Sequence, residues 1–216
     1  MKPKAISIPR NVTPQEAVAL QNRLASLISQ ESALPEEIRY VAGADGAYEG
    51  NRAVGAAVVV KYGSLRPAET ATTRAHVTFL YVPGLLAFRE APIIVRALRK
   101  LKHRPDVCIV DGHGVAHPRR FGLACHVGLI MDLPTIGVAK SRLFGREVGE
   151  RIVDPEGNSI AEVIRASGKR LYVSVGHKIS LGESVRVVRH CVSKRGLEPM
   201  VLAHQEAQKA KWSIRN

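Results

Sequence analysis

The chain has 216 residues, 45% of them hydrophobic, with 32 Lys and Arg against 19 Asp and Glu and a formal net charge of +13. That size fits one domain, 1–216, with at most an added lobe. No run of about 18 apolar residues is present, so no transmembrane helix is expected. The opening MKPKAISIPRN has no apolar segment, so a secretory signal is not expected. Cys108, Cys125 and Cys191 form no C-x-x-C pair, and a reducing cytoplasm fits them better than a disulfide framework. The basic residues are spread along the chain rather than gathered in a tail. This points to a polyanion, nucleic acid, meeting one face of a folded body.

In chain order, residues 13–30 predict an amphipathic helix, opened by a capping box of Thr13 and Glu16 with Pro14 at the first helical position. RYVAGADGAY (39–48) and AVGAAVVVKY (53–62) read as strands joined by a tight turn, with a third strand over 68–79. LLAFREAPIIVRALRKLKH reads as a helix in which Pro92 is a start or a kink. DVCIVD (106–111) is a short apolar strand of the buried, parallel kind, RRFGLACHVGLIMD a helix, and PTIGVAK another buried strand. Residues 159–176 read as two strands around SGK. Ser180 and Glu183 form a second capping box opening a helix to about Lys194, and a last helix starts near Pro199. The order predicts an α/β fold: a mixed sheet that begins as an antiparallel meander and continues with parallel strands, flanked by helices.

Three carboxylates fall where apolar residues are expected. Asp45 shares strand parity with Val41 and Gly43, and Asp111 with Val107 and Ile109. Glu90 aligns with Leu86, Ile93, Ile94, Ala97 and Leu101 if the helix runs through Pro92; a helix starting at Pro92 weakens that placement. Asp45 and Asp111 each precede glycine, so either is also a plausible turn aspartate. Buried together, the three acids need a cation, and an all-oxygen set suits Mg2+ or Mn2+. The His and Cys residues of DGHGVAHPRRFGLACH fit zinc poorly. His113 and His117 are split by Gly114 and followed by Pro118, while Cys108 and Cys125 read as core residues.

The segments YVPGLLAFREAP, PDVCIVDGHGVAHPRRFGLACHVGL and PTIGVAKSRLFG closely resemble the endonuclease V family of deoxyinosine-specific repair nucleases, and YVSVGHKISL is similar to its late strand and turn. The resemblance runs from about residue 10 to about residue 210. It implies a ribonuclease H-like fold and Mg2+-dependent hydrolysis, with Mn2+ as a substitute. The bond cut would be the second phosphodiester 3′ to a deaminated base, chiefly deoxyinosine, leaving 3′-hydroxyl and 5′-phosphate ends. Carried over by motif, Asp45, Asp111 and Glu90 match the metal-binding and catalytic carboxylates. Tyr81 matches a wedge that enters the DNA, and His117 and Lys140 match positions near the scissile phosphate. Pro83, Gly84, Gly112 and Arg119 fall in the implied DNA-binding segments, and His204 matches a late active-site position. Two departures stand out: GADGAY has Gly46 where the family more often has a larger residue, which is expected to loosen that strand edge; and EPMVLAH lacks an arginine that often precedes the LA pair.

On this reading, Asp111 bridges two metals, with one metal as the alternative, while Asp45 holds one metal and Glu90 the other or the water. Lys140 offsets transition-state charge, and His117 orients water or protonates the leaving oxygen. Backbone groups at Gly84 and Gly112 are candidates for reading the extruded base. A monomer acting on deoxyinosine-containing DNA is expected. An inosine-specific ribonuclease on the same scaffold and a non-catalytic basic nucleic-acid-binding protein are the alternatives.

Overall fold

The computed structural model describes residues 12–212; the opening stretch, read as lacking a secretory signal, lies outside the described residues. In chain order the elements are α1 (Pro14–Ala25), β1 (Tyr40–Glu49), β2 (Arg52–Lys61), β3 (Pro67–His76), α2 (Leu86–Leu98), β4 (Val107–Asp111), α3 (Leu123–Met131) and β5 (Thr135–Ala139). They continue with β6 (Arg146–Val148), β7 (Arg151–Val153), β8 (Ser159–Ala166), β9 (Lys169–His177), α4 (Leu181–His190), β10 (Val192–Ser193), β11 (Gly196–Leu197) and α5 (Glu198–Trp212). Among the described residues no helix is long and apolar enough to cross a membrane.

The architecture is the expected α/β one, built on a nine-stranded mixed sheet in the order β3-β2-β1-β4-β5-β9-β8-β7-β6. β1, β2 and β3 form the antiparallel meander, and β1, β4 and β5 run parallel through the crossovers α2 and α3. The remaining strands return antiparallel, starting from the β5–β9 pair. Strand alternation sorts the core onto two faces. Val41, Val58, Val107 and Ile109 pack with α1, α4 and α5, whereas Ala42, Val59, Cys108 and Val110 pack with α2 and α3. Cys125 belongs to the first cluster, so both cysteines of the histidine-rich stretch are core residues.

Gly43 sets how close α5 comes. A Cβ there would sit 2.0 Å from the Pro199 carbonyl oxygen, so only glycine lets the first turn of α5 rest on β1.

Both capping boxes form: Glu16 N donates to Thr13 Oγ1 at 3.3 Å, and Glu183 N to Ser180 Oγ at 3.2 Å. Several boundaries differ from expectation. α1 stops at Ala25 because the following chain is captured by the end of β9, with Lys178 N donating to Ser29 O and Ala33 N to Lys178 O. α2 starts at Leu86 and runs through Pro92, which keeps Glu90 on the apolar stripe. α3 starts only at Leu123, since Arg120 has a positive φ of 54° and Gly122 N is bonded to Gly114 O. α4 ends at His190, where the β10–β11 pair begins. The β6–β7 hairpin was not foreseen: its strands have three residues each, and only Ile152 and Val153 are buried. Gly46 does not loosen β1, which pairs with β2 along its whole length, Gly46 opposite Gly55.

Candidate active site

The β1–β4 register places Ala44 opposite Val110, so the next residues, Asp45 and Asp111, emerge side by side from adjacent parallel strands. This is the carboxyl end of the parallel strands, where open α/β sheets bind ligands. Asp45 is buried; its Oδ1 accepts from Gly46 N at 2.7 Å and its Oδ2 lies 2.8 Å from His204 Nδ1 of α5. Asp111 Oδ2 pairs with the ammonium of Lys140, just past β5, at 2.6 Å. Glu90 arrives from the first half of α2, on the other face of the sheet, and is coupled to both aspartates.

The electrostatics record crowding of like charge. Burial, then the charges of Asp45 and Asp111, push the Glu90 carboxyl up to about 8. Burial and the neighbouring Asp111 also raise Asp45, against the opposing contacts of His204 and Gly46. Desolvation draws Lys140 down, but its bond to Asp111 and the charges of Asp111 and Asp45 outweigh that and raise it. Arg89 is beside Glu90 but its guanidinium is spent on the carbonyls of Phe79 (2.8 Å) and Gly50 (3.2 Å). It also stacks over the Tyr48 ring. The Tyr48 hydroxyl is buried beside the Glu90 carboxyl, and burial and the charge of Glu90 hold it protonated. Among the described residues no three His, Cys, Asp or Glu side chains form a ready-made metal cluster. The acids nevertheless fit a divalent cation: they are oxygen-only, Asp45 and Glu90 are desolvated and repelled by their neighbours, and one lysine offsets Asp111 directly.

Beside Asp111 opens a cavity of about 300 Å3 whose walls include Tyr81, Pro83, Gly84, Gly112, His117 and Lys140. Tyr81 and its neighbour Leu80 are 69% and 79% exposed. They precede a turn closed by Leu85 N donating to Val82 O, with Pro83 and Gly84 at its corners and Gly84 at φ +78°. The Gly84 carbonyl accepts from three side chains: His117 Nε2 at 2.9 Å, Arg119 Nη2 at 2.8 Å and Gln21 Nε2 at 3.1 Å.

His117 is 2% exposed, and burial depresses it to about 4. Its Nδ1 accepts from Arg119 N at 3.1 Å, which makes Nε2 the protonated nitrogen. Both ring nitrogens are thus engaged within the protein. Arg119 turns inward to Gln21 and Gly84 rather than outward. The Gly84 carbonyl and the Gly112 N–H, which donates to Val138 O at 3.0 Å, are likewise occupied.

Three features of the site escaped the sequence. Gln21 sits on the buried face of α1 with Ala17 and Leu24, and a glutamine on an apolar helix face was the available signal. His113, weighed only for zinc, lines the cavity and bonds to Ser141 O at 2.9 Å. Arg142 and Leu143 complete the far wall from the segment after β5.

Comparison with known proteins accounts for the arrangement. The Endonuclease V family model matches residues 22–205. The chain is 44% identical over 207 residues to endonuclease V of Thermofilum pendens, covering 91% of this chain and 88% of that protein. It is 40% identical over 195 residues to endonuclease V of Nostoc punctiforme, covering 84% and 87%. The crystal structure of endonuclease V from Streptomyces avermitilis superposes with a TM-score of 0.88 at 34% identity, covering 98% of each chain. That of Ciona intestinalis endonuclease V, in complex with a 24mer DNA containing an inosine followed by a ribo-adenosine, gives 0.84 at 26% identity, covering 93% and 98%. The sheet and helices are those of this ribonuclease H-like group, and the chain belongs to the endonuclease V family of nucleases.

Proposed function

We propose that the protein is a metal-dependent endonuclease that cuts DNA containing deoxyinosine or another deaminated base at the second phosphodiester bond 3′ to the lesion, leaving 3′-hydroxyl and 5′-phosphate ends. The observation that carries this reading is the juxtaposition of Asp45, Asp111 and Glu90 with a cavity rimmed by the exposed Tyr81. The DNA-bound Ciona relative supports the choice of substrate, and endonuclease V proteins are typically metal-dependent.

Asp45, Asp111 and Glu90 are the residues that would hold Mg2+ or Mn2+. Bound there, the cation supplies Lewis-acid activation of water and neutralises charge developing on the phosphate. Glu90, whose carboxyl burial and the two aspartates push up to about 8, would hold the cation as a carboxylate. His204 orients the Asp45 carboxylate from α5. Lys140, at the rim between Asp111 and the cavity, stabilises negative charge on the attacked phosphate. His117 and Arg119 act as struts beneath the Tyr81 turn, since their donors are committed to Gly84. Tyr81 serves as a stiff wedge filling the gap left by an extruded base, and extrusion costs least for a poorly paired base.

A nicking assay on an inosine-containing duplex with Mg2+ tests this reading. Asp111→Asn is expected to abolish nicking while retaining lesion binding in Ca2+; full nicking by that variant would overturn the assignment. Absence of nicking by the unaltered protein would leave the non-catalytic alternative. The ribo-adenosine after inosine in the Ciona complex favours a second substrate, inosine-containing RNA. Ribose and deoxyribose inosine strands compared side by side separate the two.

A further inference from the structure

Gln21 has no exposed surface, and it is the polar residue on the buried face of α1, between Ala17 and Leu24. Burying a primary amide is costly unless its groups are hydrogen-bonded. None of the hydrogen bonds the Gln21 side chain makes goes to its own helix. Nε2 donates to Gly84 O at 3.1 Å and to Phe121 O at 3.0 Å, and Oε1 accepts from Arg119 Nε at 2.6 Å. The amide orientation is therefore dictated by chemistry, because a reversed amide would set its oxygen against two carbonyls.

The partners come from two segments that meet beside the cavity, Arg119 Nη2 itself donating to Gly84 O. Gly84 belongs to the turn that follows Tyr81, whereas Arg119 and Phe121 belong to the loop between β4 and α3. The tip at Leu80 and Tyr81 is largely exposed, while Phe79 and Val82 beside it pack against Ala17, Leu85 and Phe88. Its attitude is set from beneath, through a glycine carbonyl held by three donors. A glutamine serving only to stabilise α1 would have no need of partners 63, 98 and 100 residues away.

We infer that Gln21 is a positioning residue for lesion recognition, bracing the Tyr81 turn against the loop between β4 and α3 so that the wedge and the cavity stay in register. The inference rests on the wedge role proposed for Tyr81.

A double-mutant cycle tests it. Gln21→Leu, Tyr81→Ala and the double variant are compared for affinity to an inosine-containing and an undamaged duplex in Ca2+, with thermal unfolding of each protein measured alongside. Gln21→Met replaces Gln21→Leu if the latter does not fold. The expected result is a loss of about tenfold in the inosine-to-undamaged affinity ratio on replacing Gln21, and little further loss when Tyr81 is already alanine. An unchanged ratio in the folded Gln21 variant overturns the inference, as does a loss that persists undiminished in the Tyr81→Ala background. A Tyr81→Ala protein with unaltered preference overturns the wedge role itself, a separate outcome read from the same experiment.

Discussion

His204 Nδ1 lies 2.8 Å from Asp45 Oδ2, joining the last helix to the first strand across 159 positions of sequence. Partners that orient a ligating carboxylate tune metal affinity and activity by roughly 10–100-fold when removed. His204→Ala is therefore expected to slow single-turnover nicking by about that factor and to move the Mg2+ titration midpoint upward. A rate and midpoint equal to those of the unaltered protein would remove His204 from the site.

Lys140 pairs with Asp111 at 2.6 Å while its side chain remains 65% exposed at the cavity mouth. Lys140→Met should lower single-turnover cleavage by about 10²–10³-fold, the scale seen when one donor to developing charge is lost. Lesion affinity should fall much less, and the melting temperature should hold, because an exposed ion pair contributes little to stability. Rate, affinity and melting curves measured on one preparation check the three statements together.

Tyr81 is 69% exposed, so Tyr81→Ala should leave folding unchanged. What should fall is the preference for inosine over adenine at the same position, measured as a ratio of cleavage rates.

His126 is fully buried, its two ring nitrogens lack partners, and it sits 5.2 Å from the rings of both Phe88 and Phe121. Burial depresses it to about 4. An unfolded chain protonates this ring near the ordinary histidine value of about 6.5, before the folded one does. Stability is therefore lost as pH falls through that value toward 4, and His117, also depressed to about 4, acts in the same direction. His126→Leu should recover on the order of 2 kcal/mol at pH 5 relative to its effect at pH 8. Urea unfolding of both proteins at the two pH values measures the difference.

Gly43 has no room for a side chain, since an added Cβ would lie 2.0 Å from Pro199 O. Gly43→Ala should destabilise by about 1–3 kcal/mol through overpacking. It should also weaken nicking, because the displaced helix carries His204. Loss of stability with full activity would show that α5 can shift without disturbing Asp45.

Much of this arrangement is legible in the chain because it is local. Strand parity aligned Asp45 and Asp111 each with the apolar residues of its own strand, and Ser180 with Glu183 announced a helix start that forms as written. The acids were visible as breaks in apolar periodicity. What stayed hidden is what depends on distant partners. Leu27 and Ile28 continue the stripe of α1, yet α1 ends first because Lys178 offers the chain a better set of backbone bonds. The β6 and β7 strands are too short to leave a period. Gln21 has meaning only once Gly84, Arg119 and Phe121 are beside it.

The scatter of the site along the chain has a consequence for the cell. Its carboxylates and their partners come from positions 45, 90, 111, 140 and 204, each on or next to a different element. Bringing such distant positions together costs loop-closure entropy that is repaid only as the surrounding fold forms. An emerging or misfolded chain carries the positive charge that attracts nucleic acid without the assembled centre proposed to cut it. For a nuclease, that order of assembly is a safeguard: the capacity to break a strand arrives together with the fold that chooses which strand to break.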